Sequence, residues 1–223
     1  MYSNRTNSEL IEILDQHSML TFESQINLKN ELKKRAIVVD TTDLETSIAN
    51  KLAEIKNLDY LKDFGFEANR SEEGILVTRT KKAIFTDAFA IFMGVLVFLT
   101  GIYGCINLVI TFMNGDELDV FTLGFKFAIA GLVFVGIAFF SGLKRLFDYA
   151  GFQLSNRQGM ITLKKRFDVK LEELTSSATD LFLESDEDTL YLKLGKHIIF
   201  TSNADNLVQT LTLQELTKAM KSV

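Results

Sequence analysis

The chain has 223 residues, 47% of them hydrophobic and 24% charged, with a formal net charge of −5. The length suits one or two domains. The acidic balance excludes general nucleic-acid binding, which needs a basic surface, and a single cysteine, Cys105, excludes both an intramolecular disulfide and a cysteine-based zinc site. These averages match an ordinary soluble protein, yet the apolar residues are segregated. Residues 1–80 and 144–223 are polar and charged, whereas 83–143 are almost wholly apolar. The opening stretch MYSNRTNSEL has no apolar h-region, so membrane insertion is expected to be driven by internal segments.

The first elements are helical. SELIEILD (8–15) places Leu10, Ile11 and Leu14 on one helical face. LTFESQINLKNELKKR (20–35) predicts a second helix capped by Thr21 and ending in basic residues, as the macrodipole favours. Thr42 and Glu45 have the spacing of a capping box. After them Leu44, Ile48, Leu52, Ile55 and Leu58 recur at helical spacing, and Gly65 is the expected C-cap. This stripe is read as an intramolecular packing face, and residues 1–64 as a cytoplasmic helical segment.

The first two helices carry a resemblance. SELIEILDQHSMLTFESQINLKNELKKRAI is similar to a short helical hairpin found at the N-termini of various bacterial proteins, which reads roughly L-x-x-I-L, a gap, Y-T-x-E-A, then A-x-x-E-L-x-x-R. Leu10, Ile13, Leu14, Thr21, Glu23, Glu31, Leu32 and Arg35 fit, while Leu20 stands at the tyrosine position and Ser24 and Leu28 at the alanine positions. The resemblance implies an interaction or spacer element.

GFEANRSEEGILVTRTKK (65–82) reads as a β-hairpin with a polar, glycine-containing turn, expected to join a sheet built later in the chain. Two apolar runs follow, 88–113 and 120–143, each long enough to cross a hydrocarbon core, which takes about 20 helical residues. Both runs lack the polar stripe of a surface helix. Residues 83–143 are therefore predicted to form a transmembrane helical hairpin, with 114–119 as a tight turn. That turn contains Asp116, Glu117 and Asp119 and no Lys or Arg. The flanks carry Arg70, Arg79, Lys81 and Lys82 before the first span and Lys144, Arg145 and Arg157 after the second. Basic residues are retained on the cytoplasmic side, so both termini are predicted cytoplasmic and the turn outside, in what is read as a bacterial inner (plasma) membrane. The carboxylates are read as a solvated turn rather than a cation site, because they lack EF-hand spacing.

Within the spans, Ala90, Gly94 and Gly101 on the first and Gly124, Gly131 and Ala138 on the second are candidate helix-packing positions. Asp87, Asn107 and Lys126 are the intramembrane polar residues. Asp87 is expected to pair with Lys144 or Arg145, and Lys126 to snorkel to the interface. Cys105 is expected to be an inert buried thiol.

After the spans, GFQLSNRQGMITLKKR (151–166) repeats the hairpin pattern of 65–82. LFLES (181–185), LYLKLG (190–195) and HIIFT (197–201) are strand-like, and Thr212 with Glu215 predicts a second capping box opening a final helix. Residues 144–223 are thus predicted to be a cytoplasmic α+β module. The fold class is an α+β membrane protein: a two-helix transmembrane hairpin, an N-terminal helical segment and a β-rich module ending in a helix. Lys81, Lys82, Lys144, Arg145, Lys164, Lys165 and Arg166 are the candidate membrane-surface contacts.

Two spans followed by FQLSNRQGMITLKKRFDVKLEEL, the later strands and a terminal helix resemble small bacterial membrane proteins with a pleckstrin-homology-like domain. The resemblance implies a protein- or lipid-binding module and no enzyme. His17 and His197 stand far apart, and no phosphate loop, nucleophile elbow, zincin helix or kinase set occurs. No catalytic residue, cofactor or metal is expected. The expected partners are membrane lipids and a protein partner or further copies of the chain. The leading expectation is a membrane-anchored scaffold or accessory subunit. A homo-oligomeric channel or channel accessory and a lipid-headgroup-binding module are the alternatives.

Overall fold

The computed structural model describes residues 2–71, 74–114, 119–139, 141–167 and 170–222. It is mixed, 59% helical and 25% strand. In chain order the elements are α1 (Asn7–Asp15), α2 (Phe22–Lys34), α3 (Thr42–Lys56), a 3-10 turn (Asp59–Phe64), β1 (Phe66–Ser71), β2 (Gly74–Arg79), α4 (Lys81–Asn114), α5 (Val120–Phe139), α6 (Ser141–Asp148), β3 (Gln153–Arg157), β4 (Met160–Phe167), β5 (Lys170–Ser177), β6 (Leu181–Asp186), β7 (Thr189–Leu194), β8 (His197–Asn203) and α7 (Leu207–Lys221). Two sheets form, one ordered β1-β2-β3-β4-β5 and one ordered β6-β7-β8. β2 and β3 are hydrogen-bonded neighbours although α4, α5 and α6 separate them in the chain.

The chain divides into two compact units. The first holds residues 1–77, 155–162 and 175–223. Its helical part buries Leu10, Leu14, Phe22, Leu28, Leu32, Leu44, Ile48 and Ile55 in one cluster, onto which Leu207, Val208 and Leu211 of α7 also pack. Of the stripes read from the sequence, Leu10 and Leu14 of α1 and Leu44, Ile48 and Ile55 of α3 lie in this cluster, whereas Ile11 and Leu52 are exposed. The β6-β7-β8 sheet is antiparallel, pairing Leu183 with Leu192 and Tyr191 with Thr201, with a bulge at Leu192/Lys193. Alternation along β7 buries Leu190, Leu192 and Leu194. α7 covers this sheet with Leu213, Leu216 and Met220, all fully buried.

Arg35 ties down the start of this unit. Its guanidinium donates to the backbone oxygens of Tyr2 (3.2 Å), Ser3 (2.9 Å) and Arg5 (2.5 Å) and pairs with Glu31 at 2.7 Å. A planar fork with five donors makes this possible, and an ammonium does not reproduce it. Arg35→Lys is expected to cost about 1–2 kcal/mol by chemical denaturation of the full chain in mild detergent.

The helix caps differ from those predicted at two of three places. Thr21 caps α2 by accepting from the Ser24 amide, as expected. The N-cap of α3 is Thr41, which makes no side-chain cap bond, and the Thr42 amide instead donates to Asp40 Oδ1 at 2.9 Å. The capping box forms at Thr6–Glu9. α7 begins earlier than predicted, with Asn206 accepting from the Gln209 amide, and Thr212 lies inside the helix with its hydroxyl on the Val208 carbonyl. Gly65, at φ +85°, closes the 3-10 turn rather than α3.

Hydrogen bonds from Thr6 hold the Glu9 carboxyl below its ordinary value of 4.5. A depressed folded pKa contributes stability that is present above the ordinary value and lost as pH falls through the depressed one. Thr6→Ala is expected to speed amide exchange in the first turn of α1 by about fivefold at neutral pH, with the difference from wild type narrowing only in part as the pH falls through the depressed value, because the Glu9 amide bond to Thr6 Oγ1 does not depend on ionisation.

The second unit holds residues 78–154 and 163–174. Its dominant elements are α4, 34 residues, and α5, 20 residues. At 1.5 Å per residue they are about 50 Å and about 30 Å long. Thr80 Oγ1 accepts from the Ala83 amide at the start of α4, and Asp119 accepts from the Thr122 amide and hydroxyl at the start of α5. That hydrogen bonding lowers the Asp119 pKa. Asp119 thus has a specific local role as a helix cap, while Asp116 and Glu117 lie outside the described residues. α4 starts seven residues before the predicted span, which brings Asp87 inside it.

Both helices are long and apolar enough to cross a membrane, and little of either is covered by protein: 17% of the apolar stretch of α4 is buried and 6% of that of α5. A core helix of a soluble fold would be mostly buried. Here Phe89, Phe92, Leu99, Tyr103, Phe112, Phe121, Phe125 and Phe134 are all more than half exposed. Glycines set the α4–α5 contact. A Cβ on Gly101 would press on the Val133 amide nitrogen and lie 2.8 Å from the Leu132 carbonyl carbon. One on Gly104 would lie 2.7 Å from the Ala130 nitrogen, and one on Gly136 2.7 Å from Phe98. Gly94 sits against Phe139.

Candidate functional site

Polar groups converge near the start of α4, all within the second unit. β2 ends at Arg79, α4 carries Asp87 nearly two turns in, α6 carries Arg145, Tyr149 follows α6, and β4 brings Lys165. Arg79 and Asp87 are both 8% exposed and form a direct ion pair through Arg79 Nη2 and Asp87 Oδ2. Arg79 Nη1 donates to the Arg145 carbonyl at 2.9 Å. Arg145 Nε stands 4.0 Å from the same carboxylate, at the margin of the pair. Asp87 therefore takes Arg79 as its main partner, with Arg145 secondary. The side chain of Lys144 is outside the described residues.

Tyr149 collects the other cations. The Arg79 guanidinium lies 5.3 Å and the Lys165 ammonium 5.1 Å from its ring centroid, within cation–π range, and Phe152 packs edge-on at 5.6 Å. Burial, reinforced by Asp148, raises the Tyr149 pKa, so the phenol stays protonated at neutral pH. Burial also lowers the Lys165 pKa, against the opposing pull of Asp148. Burial and the nearby Arg145 lower that of Arg79, which remains charged. Arg79 Nε is buried and has no hydrogen-bond partner.

A cavity of about 390 Å³ opens beside this cluster, lined by Thr78, Arg79, Ile84, Tyr149, Phe152 and Gln153 among others. It is mostly apolar with a few polar groups, the composition of a small-molecule site. Among the described residues it holds no convergent acid–base pair or nucleophile, and nowhere among them are three or more His, Cys, Asp or Glu placed to hold a metal ion.

The other predicted positions are distributed as follows. Lys81, Lys82 and Arg145 are exposed, Lys164, Lys165 and Arg166 are half-buried, and Lys164 pairs with Glu173 at 3.0 Å. Lys126 does not reach outward alone: its ammonium donates to Thr111 Oγ1 on α4 at 2.5 Å, and that hydroxyl donates to the Asn107 carbonyl at 2.8 Å. Gly94 and Gly101 lie in the helix contact, Ala90 is half-buried and Ala138 exposed. A Cβ added at Gly124 or Gly131 would meet nothing within 4 Å, so the contact on α5 is made at Gly136 instead. Cys105 is exposed, not buried, with its thiol 3.8 Å from the Ala130 carbonyl. Sequence reasoning missed Gly104, Gly136 and the role of Arg79. Arg79 was visible only as one of several flanking basic residues.

No protein-family model, curated protein or solved structure matches the chain.

Proposed function

We propose that this is a non-enzymatic integral membrane protein in which α4 and α5 anchor a cytoplasmic α+β module that binds a partner at the membrane face. The observation that carries this reading is the exposed apolar surface of two paired helices inserted between neighbouring strands of one sheet. Leaving that surface in water forgoes about 25 cal/mol per Å² of stabilisation, which lipid around the helices would supply. In this reading α4 and α5 cross the bilayer, Asp119 lies outside and both termini are cytoplasmic. The distribution of basic residues supports the orientation, because Lys81 and Lys82 stand at the start of α4 and Lys144 and Arg145 after α5, whereas 114–119 contains no Lys or Arg. The sheets followed by α7 suit the resemblance to bacterial membrane proteins with a pleckstrin-homology-like domain, and hence a binding role.

The test is membrane fractionation followed by purification in mild detergent, with mass determination of the intact particle. The expected result is retention through alkaline carbonate, release by detergent and a specific co-purifying protein. Release by carbonate alone defeats the anchor. A discrete homo-oligomer with no second protein defeats the accessory-subunit reading. The cation cluster beside the helices favours a second, lipid-directed role.

A further inference from the structure

We propose that the cavity beside Arg79 is a binding site for one anionic phospholipid, with the phosphate at the cationic end and the first acyl carbons along the apolar wall. The proposal rests on the membrane-anchored reading above. Three observations point to the same ligand chemistry. First, the lining is two-faced: Ile84, Leu146, Ala150 and Phe152 are apolar, and Thr78, Arg79, Tyr149 and Gln153 are polar. A free inorganic anion would gain nothing from the apolar half, and a neutral hydrocarbon nothing from the polar half.

Second, the charge around the cavity is positive. Arg79 lines it, Lys165 stands against the Tyr149 ring, and Arg145 Nε lies 4.0 Å from the Asp87 carboxylate. The carboxylates facing this group are Asp87, already engaged by Arg79, and Asp148. Three cations against two anions leave an excess that a single phosphodiester neutralises. Arg79 Nε supplies a specific want, being a buried donor without an acceptor in a residue that lines the cavity. An orphaned donor of this kind is costly and is normally satisfied.

Third, the position suits a lipid. Ile84 of the cavity wall lies on α4 one turn before Asp87, and the exposed apolar face of the same helix continues through Phe85 and Phe89. A phospholipid whose tails lie along that face brings its phosphate to the level of Arg79. Juxtamembrane cations attract anionic lipid by this mechanism, and here the cavity adds a fixed place for the headgroup.

The experiment uses the full chain purified in mild detergent, exposed to phosphatidylglycerol, phosphatidylcholine or inorganic phosphate and examined by native mass spectrometry. The expected result is retention of one phosphatidylglycerol per chain, weak retention of phosphatidylcholine, and no displacement by millimolar inorganic phosphate. Lys165→Gln is expected to lower phosphatidylglycerol retention by about fivefold, and Ala150→Leu, which fills the cavity without touching charge, to lower it at least as far. Thermal melting of each variant separates lost binding from lost folding. Equal retention of the two lipids, or wild-type retention by a folded Ala150→Leu protein, overturns the proposal. Displacement by phosphate alone overturns it in favour of a free-anion site. A protein that resists carbonate yet shows no lipid preference defeats this site while leaving the anchor intact, whereas carbonate release defeats both.

Discussion

Arg79→Met is expected to destabilise the protein by about 3–5 kcal/mol, because it leaves the Asp87 carboxylate buried without its partner. Asp87 is 8% exposed, and its next cation, Arg145, is 4.0 Å away with a side chain that is 54% exposed. Arg145 therefore compensates poorly. The double variant Arg79→Met/Asp87→Leu should recover much of the loss, since removing both charges removes the desolvation cost as well. Lys164→Gln is the control. Its pair with Glu173 is at 3.0 Å, but the two side chains are 37% and 55% exposed, and such surface pairs are worth about 0–1 kcal/mol. The measurement is chemical denaturation of all three variants in the same detergent. Equal effects of Arg79→Met and Lys164→Gln would mean that the Arg79–Asp87 pair is solvated and makes no special contribution.

The second large effect is expected at Gly101. A methyl group there collides with the α5 backbone, at the Val133 nitrogen and 2.8 Å from the Leu132 carbonyl carbon. Backbone atoms cannot rotate away as a side-chain end would, so Gly101→Ala must part the helices. Overpacking of this kind costs about 1–3 kcal/mol, and Gly101→Leu should separate the pair altogether. Gly131→Ala is the comparison, since nothing lies within 4 Å of the added atom, and its effect should be neutral or slightly stabilising. Energy transfer between dyes placed at the two ends of the α4–α5 pair reads the separation directly. A Gly101→Ala protein with wild-type transfer and stability would show that the helix contact tolerates a wider spacing.

These two residues also illustrate what could be read in advance. The two apolar helices were legible because run length alone decides them, and the strands from β6 to β8 because turn residues bracket alternating or apolar runs. Gly94 and Gly101 were legible as a seam. Gly124 and Gly131 share the same seven-residue spacing, yet spacing defines a face without saying which of several faces meets the neighbour. The relative rotation of α5 is fixed by Gly136, Val133 and Ala130, and that rotation is a property of the pair.

The partner of Asp87 was hidden for a similar reason. Arg145, on α6, does come within 4.0 Å of Asp87, but Arg79 is itself the last residue of β2, and only the junction of strand and helix places it against Asp87. Caps failed where local rivals competed. Asp40 took the Thr42 amide, and the Thr212 hydroxyl found the carbonyl one turn back. Both are short-range side-chain-to-backbone bonds that compete with a cap, one made by an aspartate carboxylate and the other by a threonine hydroxyl.

The adjacency of β2 and β3 also has a consequence for the order of events during synthesis. When the ribosome has completed β2, β1 is already made but its second hydrogen-bonding neighbour, β3, does not yet exist, because residues 80–152 must be made first. Until then β2 has an unpaired edge, which is the kind of template that recruits other chains. Completion of the sheet waits on the synthesis of α4, α5 and α6, so under the membrane-anchored reading proposed above, insertion of the two helices becomes a checkpoint for the rest of the fold. A chain in which α4 to α6 are placed too slowly should be lost to degradation or aggregation through the open edge of β2.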